Sequence, residues 1–117
     1  MKGHDFQRSD RVGQQIHELV AQLFVTTISD PRLTEVEITD VDVSPNLRNA
    51  RIYYVLREGE EPTREVREAL KGVARFIKSR LGGELQLRYV PSVEFRFDEA
   101  ADKGRRIDEL LSDLKDD

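Results

Sequence analysis

Val12, Ile16, Leu19, Val20, Leu23 and Phe24 recur at intervals of four, three and one, the spacing that gathers side chains into one stripe of an α-helix. Ser9 is placed to cap the start of that helix, and Asp10 to meet the positive end of its dipole. The helix should end near Thr27, because Thr26-Thr27-Ile28 is β-branched and Pro31 disfavours the helical conformation at Asp30. Asp30-Pro31-Arg32 then reads as a turn. A period of two follows. Val36 and Ile38 alternate with Glu35, Glu37 and Thr39, and Val41 and Val43 alternate with Asp40 and Asp42, but the two runs are out of phase by one residue. A regular strand through both would bury the aspartates, so a β-bulge is expected near Thr39-Asp40. Beyond Pro45-Asn46-Leu47, the stretch Asn49 to Arg57 is apolar on both faces (Ile52, Tyr54 and Leu56; Tyr53 and Val55), the character of a central strand.

Pro62 is expected to open a second long helix, where its missing N–H costs nothing. Val66, Ala69, Leu70, Val73, Ile77 and Leu81 keep helical spacing there, with Phe76 on the same side. Gly72 weakens this helix by about 1 kcal/mol relative to Ala, and Gly82-Gly83 is expected to end it. After Pro91, Val93, Phe95 and Phe97 alternate with Glu94, Arg96 and Asp98, a third strand. Ile107, Leu110, Leu111 and Leu114 suggest a short amphipathic helix at most. The order is α-β-β-α(α)-β, an α+β domain. The first two strands should be antiparallel, and the second and third, joined through a helix, parallel by a right-handed crossover. The sheet order is then 1-2-3 with helices on one face. The expected core comprises Val12, Ile16, Leu19, Leu23, Val36, Ile38, Ile52, Tyr54, Leu70, Ile77, Leu81, Val93 and Phe95.

Length and composition narrow the function. One domain is natural for 117 residues, and 38% hydrophobic with 36% charged residues suits a soluble protein. The absence of Cys excludes a disulfide scaffold, a thiol nucleophile and a thiolate metal site. The two histidines, His4 and His17, are far apart, so no His-rich metal site is expected. No apolar run reaches the ~20 residues of a membrane span. The first residues lack the apolar core of a signal peptide, so a cytoplasmic protein is expected. There is no G-x-S-x-G, Walker A, H-E-x-x-H or G-x-G-x-x-G motif, and no cofactor is implied. Glu35, Glu37, Asp40 and Asp42 admit a metal-assisted hydrolase reading, but no His accompanies them. Acidic outer faces also deter edge-to-edge aggregation.

Charge adds a direction. Nineteen bases against twenty-three acids give −4, and residues 98–117, with eight acids and four bases, carry that whole excess. The chain therefore divides into a domain over 1–97 and an acidic, flexible tail over 98–117. Residues 64–90 hold seven bases against Glu65, Glu68 and Glu84. Lys71, Arg75 and Lys78 share one helix face, Arg64 and Arg67 extend it, and Arg80 and Arg88 flank the Gly82-Gly83 break. Such a row can track a phosphate backbone or form an ordinary solvated helix face. Arg8, Arg11 and Arg48 are weaker candidates for RNA contact, Arg32 another. Tyr53, Tyr54 and Tyr89 can stack on bases or simply pack.

Several phrases in order carry a resemblance. They are Arg11-Val12; Asp30-Pro31-Arg32-Leu33; Ile38-Thr39-Asp40-Val41-Asp42-Val43-Ser44-Pro45-Asn46-Leu47-Arg48-Asn49-Ala50; Phe76-Ile77-Lys78-Ser79-Arg80-Leu81-Gly82; Leu87-Arg88-Tyr89-Val90-Pro91; Phe95-Arg96-Phe97-Asp98; and Arg106-Ile107-Asp108-Glu109-Leu110-Leu111. Together they resemble the ribosome-binding factor A family over nearly the whole chain. The resemblance implies a type II KH-like domain, α-β-β-α-(kink)-α-β. In that family a helix-kink-helix with an Ala-x-Gly pattern replaces the Gly-rich RNA-gripping turn of KH domains. The aligned positions here read Val73-Ala74-Arg75, with Gly72 just upstream. It further implies a non-catalytic assembly factor, expected to be monomeric, that binds the immature 30S ribosomal subunit and its 16S rRNA. Its role would be in late maturation, including processing of the rRNA 5′ end, and in cold adaptation. The alternative from the residues alone is a protein-interaction α+β module whose basic helix meets an acidic partner.

Overall fold

The computed structural model describes residues 8–115, so His4 and the rest of the N-terminal segment lie outside the described residues. Helix α1 (Arg8–Thr26) is followed by a 3-10 turn (Pro31–Leu33) and strands β1 (Val36–Val43) and β2 (Asn49–Leu56). Helix α2 (Arg64–Glu84), strand β3 (Ser92–Phe97) and helix α3 (Glu99–Lys115) complete the chain. The sheet order is β1-β2-β3, with β1 antiparallel and β3 parallel to β2, as the connections require.

The two out-of-phase runs in β1 meet at a register shift between Ile38 and Asp40. Val36, Ile38, Val41 and Val43 thereby stay opposite Leu56, Tyr54, Ile52 and Ala50 on one sheet face. Val93, Phe95 and Phe97 continue that face across β3, opposite Ala50, Ile52 and Tyr54. Helices α1 and α2 cover it: Val12, Ile16, Val20 and Leu23 meet Ile77 and Leu81 over Val43, Ala50 and Ile52. Gly13 permits this approach, since a Cβ there would stand 3.2 Å from the Val41 carbonyl oxygen. Of the expected core, Leu19, Ile38, Val93 and Phe95 are only partly buried and pack against the rest. The opposite face is polar: Asp42 faces Arg51, which faces Glu94 in turn.

Three local expectations are corrected. Ser9 lies inside α1, which already includes Arg8. Thr63 rather than Pro62 stands at the start of α2, its Oγ1 accepting from the Val66 N–H. Gly82 and Gly83 fall within the last turn of α2, and the extended Leu85 just beyond it donates its N–H to the Leu81 carbonyl. Helix α2 is one span, with no break across Gly72-Val73-Ala74-Arg75. A Cβ at Gly72 would meet nothing within 4 Å. Gly72→Ala is therefore expected to stabilise the domain by roughly 0.5–1 kcal/mol, read as a rise in melting temperature.

The C-terminal segment forms a 17-residue helix, longer than the short helix expected from its pattern. Asp98 holds its start. The Asp98 N–H donates to the Tyr54 carbonyl at 2.7 Å, Oδ1 accepts from the Ala101 N–H at 2.9 Å, and Oδ2 accepts from Thr39 Oγ1 at 2.6 Å. One turn on, Asp102 is buried (6% exposed) and takes ion pairs from Arg105 and Arg106, while Arg105 donates to the Leu56 carbonyl. The first half of α3 is thus tied to the end of β2. Its second half leaves Ile107, Leu110, Leu111 and Leu114 exposed. Asp98→Ala removes the helix cap and the partner of Thr39 together, an expected cost of about 1–2 kcal/mol. A melting curve superimposable on that of the parent would refute this reading of Asp98.

Candidate nucleic-acid interface

Among the described residues β2 pairs only with β1 and β3, so the outer edge of β3 has no strand partner there, and α2 runs beside it. Between them lies a groove of about 740 Å³. Arg67, Lys71, Arg75 and Lys78 line it from α2. They recur at intervals of four, four and three, so they form one stripe about 16 Å long at 1.5 Å per residue. Leu70, Ala74, Val93, Phe95 and Phe97 supply an apolar floor. Glu61, Glu94 and Glu99 are the acids on its wall, and Glu94 is engaged by Arg96 at 2.9 Å. Arg67 donates to the Pro62 carbonyl at 2.8 Å. Among the described residues Lys71, Arg75 and Lys78 have no carboxylate partner, and all three are exposed. Three cations without a carboxylate partner among the described residues, over an apolar floor, are suited to an extended polyanion with stackable groups.

The remaining candidates separate by location. Arg64 projects onto Glu68 at 3.1 Å, and Arg80 onto Glu84 at 3.2 Å while lying over the Phe76 ring; neither lines the groove. Arg8, Arg48 and Arg88 instead line, with Tyr89, a second cleft of about 270 Å³. Arg11 is exposed and lines neither cavity. Arg32 is held by Asp30, 2.6 Å away, and this hydrogen-bonded pairing lowers the Asp30 carboxyl to about 2. Tyr54 is buried against Phe95 and Phe97, with burial raising its phenol pKa, so it packs rather than stacks on a ligand. Tyr53 is half-buried on the opposite sheet face, whereas Tyr89 is 51% exposed. Asp40 and Asp42 stand exposed on the polar face with Tyr53 and Arg51 as cross-strand neighbours. Among the described residues no group of three or more His, Asp or Glu side chains is placed to hold a metal ion. His17 is half-buried, and no described helix is long and apolar enough to cross a membrane.

The floor residues from β3 and the wall residue Ser92 carry no sequence signal of facing a ligand. The alternation of Val93, Phe95 and Phe97 marks them as core, and only the position of β3 at the sheet edge opens them to a groove.

A three-stranded mixed sheet with two helices on one face and a basic groove at its edge defines a small α+β domain. Comparison with known proteins gives the family. The family model described as ribosome-binding factor A matches residues 8–111. Curated proteins named ribosome-binding factor A from Geobacter metallireducens and Nitrosomonas europaea are similar to the chain. The first is 39% identical over 93% of this chain and 92% of its own length; the second is 36% identical over 93% of each. The chain belongs to the ribosome-binding factor A family. The fold is also that of the crystal structure of ribosome-binding factor A from Thermus thermophilus, with a TM-score of 0.63 at 20% identity over 76% of this chain and 93% of that one. A solution structure of a Thermotoga maritima protein, described as a ribosome binding factor A, gives a TM-score of 0.65 at 23% identity over 78% of this chain and 87% of that one.

Proposed function

We propose that the chain is a non-catalytic, monomeric RNA-binding factor of the cytoplasm that docks on the immature small ribosomal subunit and assists its late maturation, including processing at the 5′ end of 16S rRNA. The observation that carries this reading is the groove of Lys71, Arg75 and Lys78, without carboxylate partners among the described residues, over Val93, Phe95 and Phe97. Single-stranded RNA is gripped by such combinations of backbone-tracking cations and apolar or aromatic floors. The names of the curated relatives, as ribosome-binding factors, support the same partner. A bound factor acts by favouring the rRNA conformation it binds better, so release follows once that conformation changes. The same unpaired β3 edge also suits an extended peptide added as a strand, a second reading in which the partner is protein.

Sucrose-gradient sedimentation of lysate tests the proposal. The chain is expected in the fractions of free small subunits, and it should leave them after ribonuclease treatment. Sedimentation only at the top of the gradient, or retention on a protein partner after the nuclease, would favour the second reading.

A further inference from the structure

The β1–β2 connection is held by more hydrogen bonds than a plain turn requires. Asn46 Oδ1 accepts from Ser44 Oγ at 2.7 Å and from the Arg48 N–H at 3.0 Å, and Ser44 Oγ accepts from the Asn49 N–H at 3.1 Å. Between them Leu47 has φ 62°, the left-handed region that a branched side chain rarely adopts. Such strain persists where surrounding contacts over-determine it, and it concentrates at ligand-holding loops. Here the Leu47 side chain is anchored on the main core. The turn holds the Arg48 backbone in place, and its guanidinium lies 4.2 Å from the Tyr89 ring centroid, with Arg88 at 5.6 Å from the same ring. Arg8, at the first described residue of α1, lines the same cleft. Among the described residues no carboxylate lines this cleft, and none of the three arginines has an acidic partner within 4 Å.

Arg48 and Arg88 meet at one ring and Arg8 lines the same cleft, so like charges gather there without carboxylate partners among the described residues, and a hydrogen-bonded loop carries one of them. We infer that this cleft is a phosphate-binding site that extends the α2–β3 groove, so that a single RNA strand leaving the groove continues across it. The continuity is through Ser92. Ser92 lines the groove, and its N–H donates to the Arg48 carbonyl at 2.9 Å, so Arg48 stands next to the groove's Ser92 end. Tyr89 already carries Arg48 against its ring and serves as a platform for the guanidinium. The site therefore reads the sugar-phosphate backbone through N–H donors rather than a base through stacking. This inference rests on the chain's being an RNA binder.

The test measures fluorescence anisotropy of labelled oligouridylates of about 4 and about 12 nucleotides, within the span of known single-strand site sizes, across a salt series. The parent should bind the longer strand more tightly. The Arg48→Gln, Arg88→Gln double variant should match the parent on the short strand. On the long strand its salt slope should be shallower by about 1.4, at roughly 0.7 for each phosphate that is no longer neutralised. Both residues are exposed, and an unchanged melting temperature verifies the fold. An unchanged slope on the long strand, or equal weakening on both lengths, overturns the extended path and leaves the groove reading intact. Failure of the parent to bind either strand, with Lys71→Gln, Lys78→Gln indistinguishable from it, overturns the RNA reading and the cleft assignment together.

Discussion

Replacing Lys71, Arg75 and Lys78 with Glu is expected to abolish small-subunit binding at physiological salt while leaving the domain folded. All three side chains are exposed and without carboxylate partners among the described residues, and such surface changes alter stability by about 0.5 kcal/mol each. Their loss removes three phosphate neutralisations and adds three like charges beside a polyanion. A drop in affinity on the order of a hundredfold follows from the salt dependence of single-strand contacts alone, before repulsion is counted. The matched control reverses Arg57, Arg64 and Lys103, which are exposed and outside the groove. It changes net charge equally, so binding near the parent level would show that position rather than total charge matters. The triple change of Glu35, Glu37 and Asp42 to Ala should likewise leave binding near normal. Co-sedimentation of the folded groove variant with small subunits at the parent level would remove the groove from the mechanism.

The choice of these three residues shows what the sequence can and cannot disclose. Helical spacing on α2 is sufficient to place Lys71, Arg75 and Lys78 on one face. It does not separate them from Arg64 and Arg80, because the difference lies in Glu68 and Glu84, each one turn further along the helix. In a linear pattern those glutamates read only as local screening of a solvated face. The register break in β1 is legible because a period-two pattern has only one way to keep four valines and isoleucines on the core side while leaving Asp40 and Asp42 exposed. Val55 is harder. It faces away from the two clusters of core side chains, yet is only 4% exposed. It sits at the end of β2, the strand against which α3 packs, and nothing in the tail's charge balance announces that contact. By its acids the tail reads as a solvated run, whereas Asp98 and Asp102 are the acids that fasten α3, through Thr39 and the Ala101 N–H in one case and Arg105 and Arg106 in the other. Nor does any short-range pattern connect Arg48 with Arg88, forty positions on. Their meeting at Tyr89 depends on the parallel pairing that sets Asn49 beside Ser92.

Ile77→Ala should be the most damaging single truncation for stability, and its contrast with Ile107→Ala defines where the folded core ends. Ile77 is 0% exposed and belongs to the cluster that joins α1, α2 and the sheet. Removing its side chain leaves a cavity that neighbouring Ile16 and Leu81 cannot fill without moving the backbone, so a cost of about 3–4 kcal/mol is expected. Against a total stability of about 5–15 kcal/mol, that lowers the melting temperature by roughly 10–20 °C for a domain of this size. Ile77 precedes Lys78 on the same helix but turns into the core while Lys78 is exposed, so affinity per folded molecule should stay near the parent value at low temperature. Stability and binding are thereby separable on adjacent residues. Ile107 is 53% exposed and belongs to the second half of α3, beyond the Asp102 pairs. We propose that this half moves independently of the domain, and Ile107→Ala should then cost less than about 0.5 kcal/mol. Thermal melts of the two variants decide the matter: a loss above about 1 kcal/mol at Ile107 would mean that the apolar face of α3 closes on the body of the domain in solution.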